Sequence, residues 1–400
     1  MRSRSVKSFA SSSAAALALA AGAQMAGSAA GEAAGARPVN RAASGVAASP
    51  QLADARAWYV VNGTTGEVLA QHDANERVPI ASITKLMTVI VALEHLKPSN
   101  VVTVTSGAAQ VGESRIPLYT GQRISVHDLL EGALIQSANN AADALAAAAA
   151  GGDVKKFVGW MNEHAQKFGL HDTHFVRPDG LDAPGHVSSA RDVALLARIA
   201  MHSPIVRAIV RKEGDVIENG HVTVHTWNDL LGVYPGMIGV KTGHTNDAGW
   251  CEVGAVRHLG DTIYAVVLGV PTRGARNYDL QRLLTWADAQ YRTAWLVRAR
   301  TYAWTSVPYG RSTLALVATK PLLAVVRRGR PVVERIVAPT AVSLPVRKGQ
   351  PLGHIEIWNQ GKLVISRPLV AGRSVAKPGA GGRLGYYLGR TMHHLGGLFH

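Results

Sequence analysis

Between Ile83 and Leu93 the chain is apolar on nearly every side. A helix that is apolar all round belongs in a core. The pattern therefore predicts a buried helix, entered through Pro79-Ile80-Ala81-Ser82. Before it, residues 57–61 and 67–70 read as strands joined by the turn residues Asn62-Gly63-Thr64-Thr65-Gly66. After it come a short strand at 101–104 and helices at 126–134 and 141–150, the second rich in alanine. Phe157, Met161, Ala165 and Phe168 form one stripe of a further helix, capped by Asp153 and ended by Gly169. Val193, Leu196, Ala197 and Ala200 do the same after Ser189-Ala190-Arg191-Asp192. Residues 238–245, 250–256 and 262–269 read as strands, and 278–297 as one long helix through Leu283, Leu284, Ala287 and Tyr291.

Near Thr301 the period changes. Short alternating strands are expected at 313–317, 322–326, 332–337, 355–358 and 363–366, with turns such as Arg328-Gly329-Arg330-Pro331 between them. The end of the chain returns to helical spacing: Leu384, Leu388, Met392, Leu395 and Phe399, accompanied by Arg383, Arg390, His393 and His394. Such a basic amphipathic helix would lie in a membrane interface. At the start, Arg2, Arg4 and Lys7 precede a small apolar run, as in an export signal. Ala21-Gly22-Ala23 and Ala34-Gly35-Ala36 are alternative cleavage sites. The expected organisation is a signal over 1–36, a linker over 37–55 and a first globular domain over 56–300. A small all-β domain over 301–375, a Pro/Gly linker over 376–382 and an anchor helix over 383–400 follow.

Composition narrows the choice of partner. Hydrophobic residues make up 47% of the chain and charged residues 17%, which fits a real core. The net charge of +15 implies an anionic neighbour: nucleic acid, a membrane surface or an acidic polymer. No zinc-like Cys/His spacing, Walker loop or basic run interleaved with aromatics occurs, so nucleic acid is set aside. Cys251 is the only cysteine, which rules out an internal disulfide, and its apolar strand makes it a packing residue. No metal or cofactor is suggested.

Polar residues interrupt the apolar pattern in three places. Lys85 lies three residues after Ser82, which puts both side chains on one helical face. Burial disfavours the charged amine, and a neutral amine beside a hydroxyl can take its proton. The Ser82 amide lies near the helix N-terminus, where free N–H groups favour negative charge. Nucleophile, base and half an oxyanion site would come from one turn. A second Ser-x-x-Lys, Ser374 to Lys377, runs into Pro378-Gly379 and reads as linker. Ser137 and Asn139 are either helix caps, or a hydroxyl beside Lys85 and an amide facing a substrate peptide bond. Lys241 is either a solvated lysine on an edge strand or, with Thr242, a partner for a carboxylate. Gly243 marks a close backbone approach. His186 reads as loop packing.

In this order, Ser82-x-x-Lys85, Ser137-x-Asn139 and Lys241-Thr242-Gly243 resemble the serine-type D-Ala-D-Ala carboxypeptidases, the low-molecular-mass penicillin-binding proteins, in their membrane-anchored branch. The stretches 178–192 and 239–251 are similar to the same family. Two departures stand out: Ala138 where the family usually has glycine, and a glycine-rich tail.

The resemblance implies an α/β (α+β) fold of the serine β-lactamase type, with an antiparallel sheet flanked by helices. It implies that Ser82 attacks the carbonyl of the penultimate D-Ala and that Lys85 accepts its proton. Ser137 would relay the proton to the leaving amine, helped by Asn139. Lys241 would add positive potential and Thr242 bind the terminal carboxylate, with Gly243 leaving room along the strand. The amides of Ser82 and His244 would form the oxyanion hole, and Arg276, or Arg273 instead, would hold the carboxylate. The substrate would be a peptidoglycan stem peptide ending in D-Ala-D-Ala, with β-lactams as inhibitors and an anionic membrane surface as neighbour. Alternatives on the same residues are a serine β-lactamase, using Asp179 or Asp182 for deacylation, and a DD-endopeptidase. A catalytically quiet wall-binding or β-lactam-sensing module is the alternative of another class.

Overall fold

The computed structural model describes residues 32–38 and 48–396, apart from positions 53, 219, 259, 311 and 360, and the side chains of the last helix to residue 388. The expected signal up to residue 31 lies outside the described residues. The described chain opens with a strand, β1 (Glu32–Pro38), and then divides into two compact units.

The first unit holds Asn40–Leu296 and Leu322–Pro331. Its elements are β2 (Ala57–Asn62), β3 (Val68–His72), α1 (Lys85–His95), β4 (Val101–Thr103), α2 (Ser106–Gln110), β5 (Arg123–Ser125), α3 (Val126–Leu134) and α4 (Asn139–Ala149). Then come α5 (Val154–Lys167), α6 (Ala190–Ala200), α7 (Pro204–Ile209), β6 (Gly214–Ile217), β7 (Val222–His225), β8 (Met237–Thr245), β9 (Gly249–His258), β10 (Asp261–Val270) and α8 (Arg273–Ala289).

An antiparallel sheet in the order β3-β2-β10-β9-β8 runs through this unit, with β8 at one edge. Strand residues alternate between two cores, because successive side chains leave opposite faces. Tyr59, Val61, Val253, Val266 and Leu268 pack with α1, α3, α4 and α6 in one cluster. Trp58, Val60, Ile263, Ala265 and Val267 pack with Leu280, Leu283 and Leu284 of α8 in the other. Cys251 is fully buried on β9, and burial pushes its thiol up to about 12. This is the packing role expected of it.

Three expectations need correction. Residues 278–297 do not form one helix: α8 ends at Ala289, and β11 (Tyr291–Val297) follows as a strand. Its aromatic and β-branched residues suit a pleated surface, and it pairs with β14 (Leu322–Arg327). That pairing draws residues 322–331 into the first unit rather than the β domain. Finally, β1 falls inside the segment expected as signal and linker. It pairs antiparallel with β15 (Val332–Pro339), since an edge strand offers its free backbone groups to any extended segment.

The second unit is a mostly antiparallel β structure, as expected. Besides β1 and β15 it contains β12 (Thr301–Ser306), β13 (Thr313–Val317), β16 (Pro351–Asn359) and β17 (Lys362–Ala371), in the order β1-β15-β16-β17-β13-β12. Its small core includes Val307, Leu314, Val342, Val346 and Ala371. Ser374 and Lys377, the second Ser-x-x-Lys, are exposed here. The last helix, α9 (Ala380–Gly396), starts inside the expected linker and exposes Leu384, Tyr387 and Leu388. Its expected last apolar residue, Phe399, lies outside the described residues.

Candidate active site

The expected turn is a 3-10 turn, Ala81–Thr84, leading directly into α1. Two glycines make space for it. A Cβ on Gly180 would stand 2.1 Å from the Ala81 carbonyl oxygen. A Cβ on Gly243 would stand 2.9 Å from Ile80 O and 3.0 Å from Ser82 N. The close approach predicted at Gly243 is therefore that of the nucleophile's own turn. Ala81 (φ 49°) and Ser137 (φ 62°) both occupy the left-handed region, which costs a non-glycine residue about 1–3 kcal/mol.

Ser82 is half-buried and Lys85 fully buried. Lys85 Nζ lies 2.7 Å from Ser82 Oγ, 2.7 Å from Asn139 Oδ1 and 2.6 Å from the Asp179 carbonyl oxygen. Burial lowers its pKa to about 8, against the attraction of Asp179 and Asp143. The desolvated lysine expected from the apolar helix is present.

Lys241 lies on the edge strand β8 but is not solvated: it is 2% exposed. Its Nζ donates to Ser137 Oγ and to the Thr242 carbonyl, each at 2.8 Å. Burial, then the charge of Lys85, hold its pKa well below the usual lysine value. Ser137 thus hydrogen-bonds Lys241, rather than Lys85 as expected. Asn139 also differs from expectation. Its Oδ1 accepts a hydrogen bond from Lys85 Nζ and its Nδ2 donates to Gly112 O at 3.0 Å, so its amide serves the protein instead of facing a substrate. At Ala138 the backbone (φ −65°, ψ 124°) is extended and needs no glycine, which makes the departure from the family pattern harmless.

A cavity of about 350 Å³ opens here. Of the residues expected at the site, Ser82, Ser137, Thr242, Gly243, His244 and Arg276 line it. Glu113, Ser114, Arg115, Gln136, Trp227 and Trp250 line it too and were not foreseen; they come from loops and strand ends that carry no local pattern. The exposed His244 ring lies 4.2 Å from that of Trp250.

Arg276, not Arg273, reaches the cavity. Its guanidinium is buried, 2.9 Å from Glu252 Oε2 and 2.9 Å from Asp229 Oδ2. Burial pushes the Glu252 carboxyl up to about 7 against the charge of Arg276. Arg273 instead pairs with Asp229 and lies over Trp227.

His186 packs as expected. Its Nδ1 accepts from Val176 N–H at 3.1 Å, so Nε2 carries the proton and donates to Thr84 Oγ1 at 2.8 Å. Burial lowers its pKa to about 4.

A serine and two buried lysines around one cleft, on a five-stranded antiparallel sheet packed with helices, define the serine acyl-transfer enzymes of the penicillin-binding class. Residues 44–272 match the D-alanyl-D-alanine carboxypeptidase family, and residues 301–377 match the C-terminal domain of penicillin-binding protein 5. The chain belongs to this family of serine-type carboxypeptidases. It is 32% identical over 340 residues to the D-alanyl-D-alanine carboxypeptidase DacF of Bacillus subtilis, covering 82% of this chain and 87% of the relative. Among solved structures it is similar to penicillin binding protein 5 of Haemophilus influenzae (28% identity, TM-score 0.60, 83% of this chain and 100% of that one). It also resembles penicillin-binding protein D2 of Listeria monocytogenes in an ampicillin-bound form (31% identity, TM-score 0.54, 59% and 99%).

Proposed function

We propose that Ser82 is the acylated nucleophile of a penicillin-sensitive carboxypeptidase that removes the terminal D-Ala from stem peptides. The observation that carries this is the 2.7 Å contact between Ser82 Oγ and a buried Lys85. Neutral Lys85 takes the hydroxyl proton as Ser82 attacks the penultimate D-Ala carbonyl. The oxyanion forms between the amides of Ser82 and His244; losing one such donor costs about 2.7–4 kcal/mol in comparable acyl transfers. Ser137, polarised by Lys241, hands its proton to the departing D-Ala nitrogen, and the proton taken up by Lys85 restores the Ser137 hydroxyl. Thr242 and Arg276 receive the terminal carboxylate, and Asn139 holds Lys85. Water then cleaves the acyl-enzyme.

Slow release of a penicilloyl group follows from the loop acids. Asp182 accepts from Thr245 Oγ1 and Asp247 N–H, and Asp179 from Arg177 and Leu181 N–H. Neither carboxylate lines the cavity, so neither is placed to activate a deacylating water.

The enzyme works on the outer face of the cytoplasmic membrane, with α9 and the basic second unit against an anionic surface. The exposed Leu384, Tyr387 and Leu388 support this. Among the described residues no helix is long and apolar enough to cross a membrane, so the attachment proposed is peripheral.

The test is D-alanine release from a pentapeptide ending in D-Ala-D-Ala, beside Ser82→Ala. Release lost in the variant is the expected result. Rapid turnover of a cephalosporin without D-alanine release would move the reading to a β-lactamase.

A further inference from the structure

Asp179, whose carbonyl oxygen accepts from Lys85, has a side chain that is itself fully buried. Its carboxylate is gripped by Arg177 Nε at 2.5 Å and Nη2 at 2.7 Å, and by Leu181 N–H at 2.9 Å. The carboxyl of Asp143 faces the same carboxylate, near enough for the two to share a proton. Its Oδ2 is buried and has no hydrogen-bond partner. Asp143 is the single acid of α4, one helical turn after Asn139. Residues four apart share a helical face. One face of α4 thus supplies both Asn139, which contacts Lys85, and Asp143, which contacts the residue behind Lys85.

Two carboxyl groups that face each other, one fully buried and the other half-buried, do not both ionise. The charged groups facing this pair are Lys85 and Arg177, and Glu113 faces those two cations in turn. His186 also faces Asp179 and is neutral, and Lys241 faces Lys85. Burial and the charge of Asp179 push the Asp143 carboxyl up to about 8. Burial acts on Asp179 in the same direction, but the Arg177 hydrogen bonds and the Lys85 charge outweigh it and hold that carboxylate low.

We propose that Asp143 is a positioning acid: it stays protonated at neutral pH and donates to the Asp179 carboxylate. The resulting singly charged pair, clamped by Arg177, fixes the Asp179 carbonyl on Lys85 and sets the pH at which Lys85 becomes a base. This rests on the reading of Lys85 as the base that deprotonates Ser82.

The test is the second-order rate of penicillin acylation as a function of pH, which reports groups of the free enzyme. In the unaltered chain the rate rises through about pH 8 as Lys85 loses its proton. Asp143→Asn keeps a donor on Asp179 and leaves this limb where it was. Asp179→Asn alone would let Asp143 ionise in its place, so the decisive variant carries both Asp143→Asn and Asp179→Asn. With the negative charge gone, the Lys85 ammonium loses its counter-charge, and the limb moves to lower pH by about one unit or more. A purely structural pair would lower the folded fraction and leave the limb in place; an unmoved limb in folded double variant overturns the proposal.

Carbon-13 NMR of the unaltered chain, labelled at aspartate Cγ, is independent of how the double variant folds. An aspartate carboxyl with the chemical shift of a neutral acid near pH 7, missing in Asp143→Asn, is expected; its absence from the unaltered chain overturns the proposal. If the unaltered chain forms no penicillin adduct at all, the reading of Lys85 falls first and the proposal with it.

Discussion

The two units differ most in what their cations do. Asn40–Leu296 and Leu322–Pro331 together contain 25 Lys and Arg against 24 Asp and Glu, whereas Val297–Pro321 and Val332–His400 contain 13 against 2. In the first unit the decisive cations are buried and held by named partners: Lys85, Lys241 and Arg276. In the second, Arg335, Arg347, Lys348, Lys362, Arg373 and Lys377 are exposed. Buried charges act over a few ångströms in a weak dielectric and are little screened. Exposed like charges sum into a field that salt screens. Eleven of the fifteen net positive charges therefore lie in these segments of the second unit and one in the first, and the chemistry in the first depends on pH more than on salt.

The contrast can be broken first at its strongest point. Lys85→Ala should lower the acylation rate by about 10²–10⁴-fold, the usual worth of a positioned base; stopped-flow measurement with a penicillin would show it. A loss of tenfold or less would mean that Ser82 is activated by another group.

Changing Arg347, Lys348, Lys362 and Arg373 together to Gln should leave D-alanine release from a soluble peptide unaltered. Binding to phosphatidylserine vesicles should fall by up to about 1 kcal/mol per charge, as read by co-sedimentation at low and high salt. Equal binding of variant and unaltered chain would remove the second unit from the surface contact.

The next effect is on stability, and its sign follows from His186. Its folded-state pKa is about 4, below the ordinary 6.5. Between these values the unfolded chain binds a proton that the folded one does not, so stability increases with pH. The contribution is complete above pH 6.5 and is lost as pH falls toward 4, amounting to roughly 3 kcal/mol. Urea midpoints measured across that window should slope accordingly, and His186→Gln should flatten the slope. The smallest expected effect is that of Gly243→Ala. Pressing a methyl group against Ile80 O and Ser82 N should cost about 1–3 kcal/mol, visible as a lower midpoint together with slower acylation.

The sequence showed the first unit's chemistry better than its architecture. Lys85 and Lys241 were legible because charge inside an apolar run is locally conspicuous. The strand at Tyr291–Val297 was missed because Leu283, Leu284, Ala287 and Tyr291 keep helical spacing across the end of α8. Its pairing with Leu322–Arg327 is a long-range event that no window contains. Asn139 was placed facing outward, because nothing local states that Lys85 and Gly112 take both ends of its amide. Asp143 did leave a signal: it is the lone acid in an alanine helix, four residues after Asn139. Arg177, two residues before Asp179, was a weaker one. The β domain was read strand by strand from alternation, yet its edge partner β1 lies hundreds of residues away in Ala/Gly-rich sequence without strand character.

The two glycines that bracket the serine turn bear on how antibiotic resistance would have to arise in such a protein. Gly180 and Gly243 leave no room for a side chain against Ala81 and Ser82. A substitution there that excluded a drug would displace the nucleophile as well, and the natural substrate would be refused with it. Variation has freer ground at the mouth of the cavity, where Glu113, Arg115 and Trp227 are exposed. There an added or altered side chain meets the variable part of an inhibitor before it meets the reacting bond, so a lineage under drug pressure should record its changes on that rim while the walls of the turn stay as they are.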